Sequence, residues 1–202
     1  AGPHATLGLI GAAELRALPR GSLLVNAARG AVLQAAPLAA WLAARRGHAA
    51  LDTWPGEPAI DQFLLNSATV ATPHVAGYSE DGKRRGTIMI HRAFCEHFRL
   101  PHEPIAPLPP ARLDLAQGED RPEDPLIRAV LAATGVERDD RALRDLAPLA
   151  PEARGEGFDA LRRDYPPRRE FQYLRPTGLG QGARDRLEKL GFDLGDPCEG
   201  PS

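Results

Sequence analysis

Cysteine, lysine and methionine are scarce in this 202-residue sequence, and long apolar runs and an excess of either charge are missing altogether. The two cysteines, Cys95 and Cys198, lie far apart and follow no paired spacing, which excludes a disulfide framework and fits a reducing compartment. No apolar run approaches the roughly 20 residues needed to cross a bilayer, and the opening AGPHATLGLIGAA lacks the basic stretch of a signal peptide, so a cytoplasmic protein is expected. With 25 basic and 27 acidic residues the formal net charge is -2, which provides no field for gripping a nucleic-acid backbone or an anionic membrane. Neither is an expected partner. Arginine outnumbers lysine 23 to 2 beside abundant alanine, glycine and proline, a skew typical of GC-rich coding, so an arbitrary arginine carries little functional information. Internal repeats are also absent. The chain opens at Ala1 rather than Met, on a phrase that reads as the tail of a turn, as expected after an N-terminal truncation.

What is present, 43% hydrophobic residues in a chain of this length, suffices for one or two compact domains. From Ile10 to about Leu100, short apolar runs alternate with longer amphipathic ones, the pattern of β and α units around a parallel sheet. AAELRAL suits a short helix, and SLLVNAA reads as a buried parallel strand ended by Arg29-Gly30. In AAPLAAWLAARRG, Leu38, Trp41 and Leu42 share a helical face, Arg45 and Arg46 occupy the last turn, and Gly47 supplies the stop. HAALDTW and TVATPHVAG follow as strands, separated by a loop that Pro55, Gly56 and Pro58 enforce. Ile90, Phe94 and Phe98, four residues apart, predict one long helix from about Ser79 to Leu100. Residues 100–110, LPHEPIAPLPP, hold five prolines and read as a linker. Beyond it the pattern predicts a strand at ARLDLA, helices at 125–134 and 141–146, a strand at EFQYLRP, a helix at ARDRLEKL and a last strand at GFDL. The predicted organisation is thus an α/β domain over 1–100, a proline-rich linker over 101–110 and a small α+β module over 111–202.

Arg29, Glu57 and His74 each follow one of three successive strands. In a parallel sheet those ends share one edge, where ligands of such folds bind, so residues far apart in sequence can converge there. Their chemistry suits the oxidation of a 2-hydroxy acid. Arg29 can clamp a carboxylate through two parallel charged hydrogen bonds, a geometry lysine cannot supply. His74 can take the hydroxyl proton, and a carboxylate such as Glu57 would orient it and favour its imidazolium form. A cofactor must take the hydride, because no side chain accepts one. Taken singly, each residue has a bland reading as a solvated arginine, a turn carboxylate or a strand-end histidine.

The segments VNAARGAVL, LDTWPGEP and ATPHVAGYSEDGKRRGT, in this order and spacing, resemble the three consecutive signatures of the D-2-hydroxyacid dehydrogenases. The resemblance implies the C-terminal part of a Rossmann-like doubly wound parallel sheet, NAD as cofactor, and Arg29, Glu57 and His74 in the catalytic roles above. It also implies that Ala27, Ala28, Asp52 and Gly77 line the nicotinamide end of the pocket. FDALRRDYPPRREFQYL and LEKLGFDLG resemble the C-terminal dimerisation domain of one branch, whose substrate is a phosphorylated hydroxy acid. For that branch Tyr78 matches a substrate-contacting position, and a homodimer through residues 111–202 is implied. Gln34 stands where the family usually carries Asp, a change expected to affect local structure rather than chemistry. In that family the glycine-rich phosphate loop lies upstream of the position matching Ala1, so an oligomerising fragment without activity and a dehydrogenase of another hydroxy acid are the alternatives.

Two further patterns read as decoys. Gly178-Leu-Gly-Gln-Gly-Ala183 fits a dinucleotide-binding turn, but the chain ends before a ribose-binding acid roughly 20 residues on could complete it. His91 and Cys95, with His97 nearby, have no partner pair to complete a four-ligand zinc site, so no metal is expected. The basic residues Arg162, Arg163, Arg168 and Arg169 are interleaved with acids and read as a solvated or subunit-facing surface.

Overall fold

The structure is a computed structural model, and it describes residues 2, 5–115, 124–178 and 181–195. It is an α/β fold whose residues divide into two compact units, one formed by 1–76 with 136–165 and the other by 77–135 with 166–202. The first of these units thus draws on residues from both sides of the proline-rich stretch 101–110.

The first unit is built on three parallel strands in the order β1 (Ser22–Asn26), β2 (Gly47–Leu51) and β3 (Val70–Ala71). The register pairs Asn26 with Leu51 and Leu51 with Ala71, so all three chains leave the sheet at the same edge. Helices α1 (Ala12–Ala17), α2 (Ala35–Ala43) and α3 (Gln62–Ser67) supply Leu15, Leu38, Trp41, Leu42, Leu64 and Leu65 to the core, against Ala49, Leu51 and Trp54. Glu14 opens α1 by accepting from the Gly11 N–H at 2.9 Å, and Asp61 caps α3 by accepting from Leu64 N at 2.9 Å. The sequence pattern gave no sign of α3, whose six residues are too few for periodicity.

Other boundaries shift from the expected ones. Arg45, with φ of 49°, ends α2 in the left-handed region, and Gly47 begins β2 instead of serving as the helix stop. A Cβ on Gly47 would collide with Ser22 O and the Trp41 ring, so that glycine lets α2 lie close on the sheet. Gln34 precedes α2 without capping it, and its amide instead donates to Gly8 O at 2.8 Å, a bond that an ionised aspartate, which has no donor, would not make.

Helices α6 (Val136–Arg144) and α7 (Pro151–Arg163) complete this unit, and α7 had no sequence-level signal. Leu143, Ala147 and Phe158 enter its core. Asp140 accepts the β3 N–H of Ala71 at 2.7 Å, while Arg144 donates to Leu65 O and Ala68 O at 2.8 Å each. Arg154 is buried and donates to Ile60 O at 2.6 Å. These bonds satisfy main-chain groups at the end of α3 and beside β3, which is the physical reason the 136–165 stretch belongs here rather than with its sequence neighbours.

The second unit pairs β4 (Ala111–Asp114) with β5 (Leu174–Thr177) in parallel and adds α4 (Glu80–Phe98), α5 (Pro125–Thr134) and α8 (Arg184–Lys189). Its core holds Leu115, Ala129, Ala133, Leu174, Leu187 and Phe192. GFDL forms no strand; Phe192 instead stacks on Phe171 with ring centroids 4.3 Å apart. Residues 171–173 are a single 3-10 turn, so β5 starts later than EFQYLRP suggested. The predicted helix at 79–100 forms as α4, capped by Ser79, and Ile90, Phe94 and Phe98 are exposed along it. No helix among the described residues is long and apolar enough to cross a membrane.

The start of α4 is tied down by one ion pair. Asp81 accepts from Arg169 Nε at 3.0 and 2.9 Å and from Glu170 N at 2.9 Å. Burial pushes the Asp81 carboxyl up, but the Arg169 guanidinium and the Glu170 N–H outweigh it and hold the carboxyl below its ordinary value. A depressed carboxyl contributes stability that is present above the unfolded value of about 3.9 and lost as pH falls through the folded one. Asp81→Asn is therefore expected to lower the denaturant midpoint at neutral pH and to flatten the loss of stability below about pH 4. Equal acid sensitivity in parent and variant, followed by circular dichroism, would exclude this role for the pair.

Candidate active site

The C-terminal edge of the three-stranded sheet gathers the polar residues of the first unit, and each strand end is organised by a buried side chain. At the end of β1, Asn26 is 6% exposed and its Nδ2 donates to Arg29 O at 3.1 Å and to Thr53 O at 3.2 Å. Its Oδ1 accepts from Ala28 N at 3.3 Å. One amide thus fixes the Ala27-Ala28-Arg29 turn and joins it to the chain leaving β2. Gly30 completes the approach, because a Cβ there would collide with Trp54 O and the Trp54–Pro55 peptide.

At the end of β2, Asp52 is 7% exposed. Its Oδ1 accepts from Thr72 Oγ1 at 2.7 Å, Val75 N at 2.9 Å and Ala76 N at 3.1 Å, and its Oδ2 also faces Ala76 N at 3.1 Å. The carboxylate is engaged by the turn that carries His74. That histidine has φ of 56°, a conformation that costs an L-residue on the order of 1 kcal/mol or more and persists when its surroundings over-determine it.

Glu57 follows Trp54-Pro55-Gly56, and its Oε2 accepts from Trp54 N at 3.2 Å. Its Oε1 lies 2.8 Å from His74 Nδ1, with the two side chains 26% and 24% exposed. An ionised carboxylate only accepts, so Nδ1 carries the hydrogen of this bond, and in the neutral ring Nε2 is left with a free lone pair. The arrangement is that of an oriented general base.

Arg29 is exposed, and its Nη1 donates to the adjacent Ala28 O at 2.7 Å. Among the described residues it has no carboxylate partner, so its remaining donors are open to a ligand. Arg29 and Glu57 line one cleft of about 370 Å³ together with Gly30, Trp54 and Gly56. The structure therefore joins Glu57 to His74 by a hydrogen bond and to Arg29 by a shared cleft. Ala27 and Ala28 face solvent at the strand edge, while Asp52 lies buried behind the 72–76 turn. Gly77 and Tyr78 open the second unit, where Lys83 Nζ stands 4.2 Å from the centroid of the Tyr78 ring. Sequence reasoning missed the parts played by Asn26, Trp54 and Thr72. A buried-strand pattern that ends in a polar residue was the available signal for Asn26; nothing comparable marked the other two.

Neither decoy gains support. His91 Nε2 lies 3.6 Å from Cys95 Sγ, yet no group of three metal-ligating side chains occurs among the described residues. The Gly178–Ala183 pattern lies partly outside the described residues, and its described end is a single turn before the six-residue α8.

The parallel strands, with polar residues gathered at their shared C-terminal edge, have the arrangement of a nucleotide-binding α/β domain. Residues 2–76 match the NAD binding domain of the D-isomer specific 2-hydroxyacid dehydrogenases. The chain is similar to erythronate-4-phosphate dehydrogenases over nearly all of its own length. It is 42% identical over 191 residues to that of Azotobacter vinelandii, covering 92% of this chain and 50% of the relative. The Teredinibacter turnerae enzyme is 38% identical over 198 residues, covering 96% and 52%, and that of Marinobacter nauticus 40% over 200 residues, covering 96% and 52%. The chain thus spans about half the length of these curated relatives. Residues 107–191 match a domain of unknown function (DUF3410).

The close approach at Gly30 makes a direct test of this edge. Gly30→Ala must push the Arg29 turn away from Trp54, with a loss of stability of about 1 to 3 kcal/mol, the usual range for overpacking. Denaturant unfolding measures it, and an unchanged midpoint would mean that the two loops are not held together as described.

Proposed function

We propose that the protein works as an NAD-dependent dehydrogenase that oxidises 4-phospho-D-erythronate to (R)-3-hydroxy-2-oxo-4-phosphooxybutanoate, a step in making pyridoxal 5'-phosphate. The observation that carries this reading is the 2.8 Å bond from His74 Nδ1 to Glu57, beside a cleft that Glu57 shares with Arg29, which has no acidic partner among the described residues. The similarity to curated erythronate-4-phosphate dehydrogenases supports the choice of substrate.

The residues at the sheet edge suit NAD. Ala27 and Ala28 offer short, solvent-facing side chains on which a planar ring can lie, and the turn at 72–76 walls the same edge. Ala27, Ala28 and Gly77 would line the nicotinamide end, with Asp52 shaping it from behind the turn. When bound, NAD supplies the hydride acceptor that no side chain provides.

Arg29 holds the substrate carboxylate through paired hydrogen bonds and so fixes the carbinol carbon. His74 Nε2 receives the hydroxyl proton. Glu57 keeps Nδ1–H in place and stabilises the positive charge that develops on the ring. Tyr78 contacts the substrate. In the reverse direction the same ring returns the proton to the carbonyl oxygen. The reading includes a homodimer through residues 111–202 and a phosphorylated hydroxy acid as the only small-molecule partner besides NAD.

Arg29→Lys in the full-length protein is expected to fold normally and to lose on the order of 2 to 4 kcal/mol of transition-state stabilisation, read from kcat/KM with 4-phosphoerythronate. His74→Ala is expected to abolish turnover in both directions while NAD binding survives. Near-parental turnover in either variant would remove that residue from the mechanism, and a better hydroxy-acid substrate lacking the phosphate would overturn the substrate assignment.

A further inference from the structure

Trp54 is 1% exposed and fills the core beneath the sheet edge, as a buried tryptophan ordinarily does. Of its two N–H groups, however, one ends on Glu57 and the other on a carbonyl that also holds the His74 backbone. The main-chain N–H donates to Glu57 Oε2 at 3.2 Å. The indole Nε1 donates to Thr72 O at 2.9 Å, and this same carbonyl accepts the main-chain N–H of His74 at 3.0 Å. One oxygen atom therefore joins the indole to the histidine backbone, while one carboxylate joins the Trp54 backbone to the histidine ring.

We propose that Trp54 is a positioning residue for the proton transfer, fixing Glu57 through its backbone and the His74 turn through its indole. This rests on the reading of Glu57 and His74 as the working pair. His74 holds a left-handed backbone that L-residues rarely adopt, so its ring direction depends on the turn staying where its braces put it. Asp52 braces the turn through Thr72 Oγ1, Val75 N and Ala76 N. Those bonds tie the turn to the end of β2. The indole bond ties it to the loop bearing Glu57, which the side-chain bond of the pair also joins to His74. Phenylalanine would fill most of the same volume and supply no donor.

The test uses the full-length protein with Trp54→Phe, Glu57→Gln and the double variant, and, as a closer isostere, benzothienylalanine placed at position 54, where sulfur replaces the indole N–H. Both replacements of Trp54 are expected to lower kcat about tenfold or more, since misplacing a reacting group by a fraction of an ångström has effects of this order, with KM for the hydroxy acid within about twofold. In the Glu57→Gln background the further loss from Trp54→Phe is expected to shrink to less than about twofold, because the pair is already uncoupled. A purely packing role predicts a lower melting temperature for Trp54→Phe, parental kcat for the benzothienyl protein, and losses that multiply in the double variant; any of the last two results overturns the proposal. Parental turnover in Glu57→Gln and His74→Ala would instead bring down the acid–base reading itself.

Discussion

A histidine at φ of 56° stays in place only because the turn around it is held at several points, and the first unit is arranged to hold it. Asp52 takes two main-chain N–H groups and a hydroxyl from the 72–76 turn, and Trp54 takes the carbonyl of Thr72. Both braces come from the chain that leaves β2, and they reach the turn because β2 and β3 are in parallel register, with Leu51 opposite Ala71. The register in turn depends on α2 and α3 lying close on one face of the sheet, which Gly47 and the Leu64–Leu65 pair permit. The conformation of His74 is thus linked to how α2 and α3 pack on the sheet.

The site is made polar at small cost in unsatisfied groups. Asn26 and Asp52 are both more than nine-tenths buried, where an unpaired amide or carboxylate would be strongly destabilising. Each instead saturates main-chain groups of the turns that no strand can pair. Glu57 and His74, about a quarter exposed, stand at the rim. Buried polar residues set the geometry, and the half-buried pair is held on it.

Much of this was legible in the sequence. Arg29, Glu57 and His74 could be placed at one edge because three apolar runs end just before them, and a parallel sheet aligns such ends. The long helix α4 and the parallel strands β1 and β2 follow from apolar spacing alone. What escaped has a common cause. Helix α3 is capped by a single aspartate and too short to show a period, while β3 contributes two paired residues to a segment that reads as nine. The place of α6 and α7 in the first unit depends on Asp140, Arg144 and Arg154 meeting main-chain groups some 70 to 95 residues away, and no local pattern encodes a partner at that separation. GFDL has the composition of a strand, yet Phe192 stacks on Phe171 instead, a choice made by the ring it meets.

The two borders of the three-stranded sheet are unlike. On the β3 side a main-chain N–H, that of Ala71, is already taken by Asp140. On the β1 side no strand among the described residues pairs with it, and Leu23 and Val25 stand 60% and 64% exposed. Sheet growth is consequently directional. A further strand can add at β1, where an unpaired ladder and an apolar face coincide, whereas addition beyond β3 would first have to displace an aspartate. The same asymmetry makes β1 the surface at which two isolated copies of this unit would adhere in concentrated solution, and shielding it should matter more for solubility than any change at the opposite border.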